Sequence, residues 1–441
     1  MGVVDYFLSL GSSVFVPIVL IVISLVFGQG ILKSIRSGIM VGIGFIGLGL
    51  AISLISDSLE PAVGQIVERF SFNLTVIDIG SGAAAGVAFS TLVGALIIPS
   101  VFILNLLLLV VGFTKTMNID IFNYSHYAFT GAVVHLVTGS VVLGIGASLI
   151  QATWSLLSAD YSARKVQRML GVEGISIPQG YAASTVPLFS LLDKVYNRIP
   201  FLRNSKLDIS YLQGKIGMFG DPVIIGTVLG IILALLADYN FVEGANLLMS
   251  VVAIMVLFPR MVKIIVEGLL PISESAKAFF NKHFNGKEVF IGLDSAITLG
   301  LPTTQIIGTM LIPITLILAV ILPGNSVLPL GDLAFVAFFT CMATIIHNGN
   351  ILKTIISGVI NMVIVLYIAT WFAPYFSKLA ANSGVTAIKG QSTALWNGNM
   401  FDYVIAQIGN FGWIGLIVLI ILTIPVGLYV KKVGNRPEPV E

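Results

Sequence analysis

The chain has 441 residues, of which 56% are hydrophobic and 10% charged, against roughly 25% charged in an ordinary soluble domain. That balance excludes a soluble globular protein, and a net charge of +2 leaves no electrostatic footprint for nucleic acid. The single cysteine, Cys341, excludes a disulfide framework within the chain and any multi-cysteine metal or iron-sulfur site.

Apolar windows of about 20 residues recur along the chain, so it reads as an all-α polytopic membrane protein with about ten or eleven transmembrane helices. The first apolar run, 14–32, has no basic leader and reads as a retained span, not a signal peptide. It ends at Lys33 and Arg36. The following run, 38–55, carries Gly42, Gly44, Gly47 and Gly49, small residues that permit close helix packing. Residues 56–69 hold Asp57, Glu60, Gln65, Glu68 and Arg69. That stretch is too polar to span and reads as an interfacial amphipathic piece.

Residues 76–112 begin small and polar and end greasy, which predicts a re-entrant hairpin around 80–91 and a span starting near Pro99. A further span, 128–149, contains His135. Residues 151–221 form the longest non-membrane stretch, rich in Lys and Arg, and the positive-inside rule assigns it to the cytoplasm. The tail with Lys431, Lys432 and Arg436 points the same way. "FGDPVIIG" opens the second half, with spans at 222–237 and 245–257 and an interfacial segment after them. Beyond His347 come a span at 351–371, a polar loop containing Trp396, and a last span at 411–429. The chain so divides into a first membrane repeat (1–150), a cytoplasmic amphipathic linker (151–221), a second membrane repeat (222–373), and a loop, final helix and tail (374–441).

The halves echo one another at a shift of about 210 residues: Leu59 and Pro61 meet Leu269 and Pro271, Ile79-Gly80 meets Ile291-Gly292, and Ile98-Pro99 meets Ile312-Pro313. Copies that each cross the membrane an odd number of times are inverted, and transporters of that kind hold substrate at the repeat interface.

Polar groups at membrane depth normally face a protein interior or a water-filled cavity. The second half offers Asp294, Thr303, Thr304, Gln305, His347 and Asn348, and the first half offers Ser90, Thr91 and His135. Carboxylate, amide and imidazole groups together supply the acceptors and donors that a ligand made of hydroxyls requires. Each has a plainer reading as well. Asp294 suits the cap of a half-helix, His347 and the following Asn348-Gly349 suit a helix end, and Ser90 and Thr91 suit bonds to their own backbone. Asp221, before Pro222, is an N-cap by position and also a candidate ligand group. Nothing resembles a self-contained catalytic motif, a cofactor fingerprint or a metal site.

At "FGDPVIIG", "FPRMVKIIVEGLLPISESAKAFF", "IGLDSAITLGLP" and "HNGNILKT" the chain resembles the galactitol-specific enzyme IIC components of the bacterial phosphoenolpyruvate-dependent sugar phosphotransferase system. It is similar more distantly to the ascorbate-specific IIC proteins. The resemblance runs over nearly the whole length. It implies a homodimer in the inner membrane, inverted repeats, and a scaffold domain with a core that moves like an elevator. It also implies IIA and IIB partner subunits, a phosphocysteine on IIB, and a polyol substrate, galactitol or a relative. Asp294, His347 and Asn348 fall inside matched motifs and are the substrate positions it implies most directly. Two other readings stay open, an ion-coupled secondary transporter of a polar solute and a membrane anchor for a soluble complex.

Overall fold

The computed structural model describes residues 12–70, 74–205, 207, 222–283, 288–329, 331–382 and 391–434. Two long helical hairpins start the two halves. In the first, α1 (Ser12–Val26) turns at Gly28 into α2 (Ile31–Arg69). The main chain of the first half continues through β1 (Val76–Asp78), α3 (Ser81–Ser90), α4 (Leu92–Val110), β2 (Thr116–Asn118) and a 3₁₀ turn (Ile121–Tyr124). It then forms α5 (Ser125–Thr138), α6 (Val141–Leu170), β3 (Ile175–Ser176), α7 (Gly180–Tyr196) and the single turn α8 (Pro200–Arg203).

The second half follows a similar order, with a 3₁₀ turn in the place of α3. It runs α9 (Pro222–Leu236), α10 (Phe241–His283), β4 (Phe290–Gly292), a 3₁₀ turn (Ser295–Gly300), α11 (Pro302–Ile321), β5 (Val327–Leu328) and a 3₁₀ turn (Leu333–Phe335). After these come α12 (Val336–Ile346), α13 (Ile351–Asn382), β6 (Gln391–Thr393), a 3₁₀ turn (Leu395–Asn397), α14 (Met400–Gly409) and α15 (Trp413–Gly434).

The two hairpins pack through small residues. A side chain on Gly44 would strike Ile265, one on Gly47 would strike Met261, and one on Gly268 would lie 2.7 Å from the Ser37 carbonyl oxygen. These contacts run α2 antiparallel to α10, and the glycines let the backbones approach. The polar stretch 56–69, expected as a separate interfacial piece, is the continuous end of α2. Arg69 explains its place there: Nη1 donates to the carbonyls of Leu235 (2.7 Å) and Leu236 (3.1 Å) at the C-terminal end of α9. The segment after Leu257 is likewise continuous with α10.

Two three-stranded parallel sheets exchange strands between the halves. One has the order β5-β1-β6 and the other β2-β4-β3, so each central strand comes from one half and both its neighbours from the other. Val76 pairs with Val327 and Gln391, and Ile291 pairs with Met117 and Ile175. Strands of two or three residues carry no readable periodicity, and none is expected from the sequence.

Several boundaries differ from the sequence-based expectation. The helix after the small-polar stretch begins at Leu92, not near Pro99, because Thr91 caps it by accepting the Gly94 N–H at 3.0 Å. The expected span 128–149 is two helices, broken where Gly139 takes φ of 70° and Ser140 caps α6. The stretch 151–221, read as a linker, begins inside α6 and includes β3 and α7. Ser162 fits the interior because it is small and satisfied by its own helix: Oγ donates to the Ser158 carbonyl at 2.9 Å. The loop containing Trp396 is buried and supplies β6.

Among the described residues, five helices are long and apolar enough to cross a membrane: α4, α6, α11, α13 and α15. Shorter apolar helices of 10–17 residues accompany them, including residues 336–346. Among the described residues, three interior clusters fill the space between elements, the largest joining α6, α7, α10, α11, α12 and α13.

Candidate functional site

The two halves meet where β1, β5 and β6 end. Asp78, the last residue of β1, accepts the N–H groups of Gly80 (3.0 Å) and Leu395 (3.2 Å) on Oδ1 and that of Asp332 (2.8 Å) on Oδ2. Asp332 accepts the N–H of Ser81 (2.6 Å) on Oδ1 and that of Trp396 (2.9 Å) on Oδ2. Both carboxylates are buried, and the five N–H groups repay their removal from water. The backbones cross so tightly that a side chain on Gly331 would lie 2.6 Å from the Ile79 carbonyl carbon. Gly80, on the other strand of the crossing, has φ of 84°, a conformation open to glycine.

Beside this crossing lies a cavity of about 540 Å³, within the range of small-molecule sites. Residues from three chain reversals line it. Ser81 starts α3. Asp294 caps the following 3₁₀ turn by accepting the Ala296 N–H at 2.6 Å. Gln179 caps α7 by accepting the Ala182 N–H at 2.7 Å. Much of the remaining lining is aromatic: Tyr181, Phe338, Phe339 and Trp396 contribute to it, with the Tyr181 and Phe339 rings edge to face at 4.6 Å. The Tyr181 hydroxyl accepts from Asn361 Nδ2 at 2.9 Å.

A buried polar group stands behind that lining. His126, fully enclosed, stacks on Trp396 with ring centroids 3.7 Å apart. A side chain on Gly180 would lie 2.6 Å from His126 Cβ, so the start of α7 presses directly on the ring. Gln179 Nε2 lies 3.2 Å from His126 Nε2, and Asn399 Nδ2 lies 3.3 Å from Nδ1. Both amide oxygens are taken by helix caps, so both amide nitrogens face the ring. A neutral imidazole accepts from only one, and the assignment that fits has Nε2 accepting from Gln179. Nδ1 then keeps its proton, with Asp402 Oδ2 3.7 Å away. Asp402 in turn accepts from Gln151.

Asp294 lines this cavity. His347 does not: Nδ1 lies 3.0 Å from Asp193 and Nε2 lies 2.8 Å from Ser357, in a cluster of its own. Asn348 is exposed with φ of 52°, ending α12. Thr303 donates to the Gly349 carbonyl at 3.2 Å, beyond α12, whereas Gln305 Nε2 donates to the Leu299 carbonyl at 2.6 Å and braces the turn that Asp294 caps. Thr304 Oγ1 is buried with no partner among the described residues. Ser90 donates to the Val87 carbonyl and Thr91 to the Ala88 carbonyl. His135 packs near Gly144 at the end of α5, away from the cavity. Asp221 lies outside the described residues. Asp78, His126, Gln179, Tyr181, Asp332 and Trp396 are not among the site residues that the sequence singles out. Pro178-Gln179-Gly180 carries a signal for Gln179, a polar residue at a helix start.

The family described as "PTS system sugar-specific permease component" (EIIC-GAT) matches residues 6–391. The chain is 53% identical over 430 residues to a protein of Escherichia coli (strain K12) named "Putative permease IIC component", covering 97% of this chain and 98% of the relative. It is 38% identical over 396 residues to the PTS system galactitol-specific EIIC component of the same strain, covering 90% and 88%. The same figures hold for the galactitol-specific EIIC component of Escherichia coli O157:H7. With its apolar spans and a family match over most of its length, the chain is an integral membrane protein and belongs to the EIIC-GAT family of phosphotransferase-system sugar permeases.

Proposed function

We propose that this permease binds galactitol or a related polyol in the cavity beside the strand crossing and presents it to a IIB subunit for phosphorylation. The observation that carries the reading is the pairing of the Asp294 carboxylate and the Gln179 amide with a wall of Tyr181, Phe338, Phe339 and Trp396 around about 540 Å³. Hydroxyl groups donate to a carboxylate and accept from an amide N–H, while the C–H faces of a linear polyol lie on aromatic rings. A neutral cargo needs no buried ion relay. Trapping then comes from phosphorylation on the cytoplasmic side.

The similar element order and the reciprocal strand exchange support reading the halves as inverted repeats. The α2–α10 pair supports a scaffold, against which a core built from both sheets moves as an elevator in a homodimer. Asp294 is the direct contact in this reading, Gln305 holds its turn, and Thr303, His347 and Asn348 act away from the cargo.

Proteoliposomes holding the purified protein test it. Uptake of radiolabelled galactitol is expected only with IIA, IIB and a phosphate donor present. Uptake driven by a pH or sodium gradient without them would overturn the proposal.

A further inference from the structure

A second cavity, of about 280 Å³, opens between the α1–α2 turn and the later part of α10. It shares no lining residue with the cavity of the strand crossing. Gln29 is only 8% exposed, and neither Nε2 nor Oε1 has a partner among the described residues. A buried amide left in that condition is costly, so the site holds one donor and one acceptor for a ligand.

Charge is sorted across the same cleft. Lys33 and Arg36 reach it from α2, and Glu267 and Glu274 reach it from α10. No ion pair joins any of the four among the described residues. The sum is zero, with the signs held apart on opposite helices. That arrangement fits a ligand that carries both signs at once.

The surroundings say where such a ligand comes from. Ile35, Ile39, Ile43, Ile46 and Leu50 are each 40% or more exposed. Their spacing of three and four residues places them in one stripe along α2 that starts at the cleft. Basic side chains at the head of an apolar stripe mark the membrane surface.

We propose that this cleft binds the phosphoethanolamine headgroup of a membrane lipid. The phosphate sits against Lys33 and Arg36, the ammonium against Glu267 and Glu274, and Gln29 serves both, with the acyl chains along the α2 stripe. An anionic glycerol headgroup would satisfy the two cations and leave the two carboxylates facing a negative ligand.

Native mass spectrometry of the purified full chain in an equimolar mixture of phosphatidylethanolamine and phosphatidylglycerol tests the site. Retention of phosphatidylethanolamine over phosphatidylglycerol by about tenfold is expected, the ratio that one charge-assisted contact gives. Glu267→Gln with Glu274→Gln, both at exposed positions, is expected to reverse the preference while elution stays monodisperse. Gln29→Leu is expected to lower retention of both lipids. Equal retention by the native chain, or a preference unchanged in the Glu double variant, would overturn the proposal. Displacement of the lipid by millimolar soluble phosphoethanolamine would overturn its lipid source.

Discussion

Asp78 and Asp332 hold one another's segments: the Asp78 carboxylate accepts the Asp332 N–H at 2.8 Å, and Asp332 reaches on to the N–H of Ser81, three residues beyond Asp78. One residue comes from the central strand of a sheet and the other from beyond its flanking strand. The pair so fastens the two halves of the chain at the point where the cavity opens. Leu395 and Trp396 join the same two carboxylates, which brings the third strand of the sheet and the aromatic wall under the same control.

Asp332→Asn is therefore expected to weaken both fold and site. An amide keeps one acceptor and turns an N–H toward either Ser81 or Trp396, leaving a buried donor opposed to a donor. A loss of about 2 kcal/mol is expected for a charge-assisted bond exchanged for an unsatisfied pair. Thermal unfolding in detergent reads it, and an unfolding temperature equal to that of the native chain would refute the clamp.

How much of this was legible beforehand differs by residue. Asp294 stands out in the sequence as a carboxylate between apolar runs at a half-helix start, and it lines the cavity. His126 does not stand out, because "NYSHYA" reads as a polar loop. Its burial depends on Trp396 and Gly180, which reach it only through β6 and β3. His347 attracts notice by its place in the second copy, yet its two ring nitrogens are engaged by Asp193 and Ser357, and nothing near it in sequence announces Asp193. Long helices are written in apolar runs. Contacts made by strands of two or three residues are written nowhere locally, so the strand crossing and its carboxylates come only from the fold.

Asp294→Asn separates capping from binding. Asn caps a helix start about as well as Asp, so the Ala296 N–H keeps its acceptor and the turn survives. Polyol affinity measured by calorimetry is expected to fall about tenfold, the worth of a hydrogen bond to a charged group. Unchanged affinity would remove Asp294 from the binding site.

Trp396→Leu probes the aromatic wall. The substitution removes the ring stacked on His126 and one face of the cavity, while the backbone N–H that Asp332 accepts stays in place. Polyol binding is expected to weaken more than stability does. A variant that binds as the native chain does would place the cargo elsewhere.

The Asp193–His347 cluster gives a pH dependence with a definite sign. Asp193 lies on α7, outside the spanning helices. Burial alone pushes its carboxyl up, but the hydrogen bond and charge of His347, with Lys165 and Lys353 nearby, outweigh burial and hold it below the usual carboxylate value. A carboxyl lowered in the folded state favours its charged form there. The stabilisation is complete above the ordinary value of about 4 and is lost as pH falls through the lower folded value. The unfolding temperature in detergent is expected to drop as pH is taken from 6 toward about 3, and Asp193→Asn is expected to lack that part of the drop. His347→Gln removes the ring that faces Asp193 and Ser357. It is expected to raise the Asp193 pKa and shrink the same pH-dependent step. Identical unfolding profiles for the native chain and Asp193→Asn across that range would show that the pair contributes nothing to the fold.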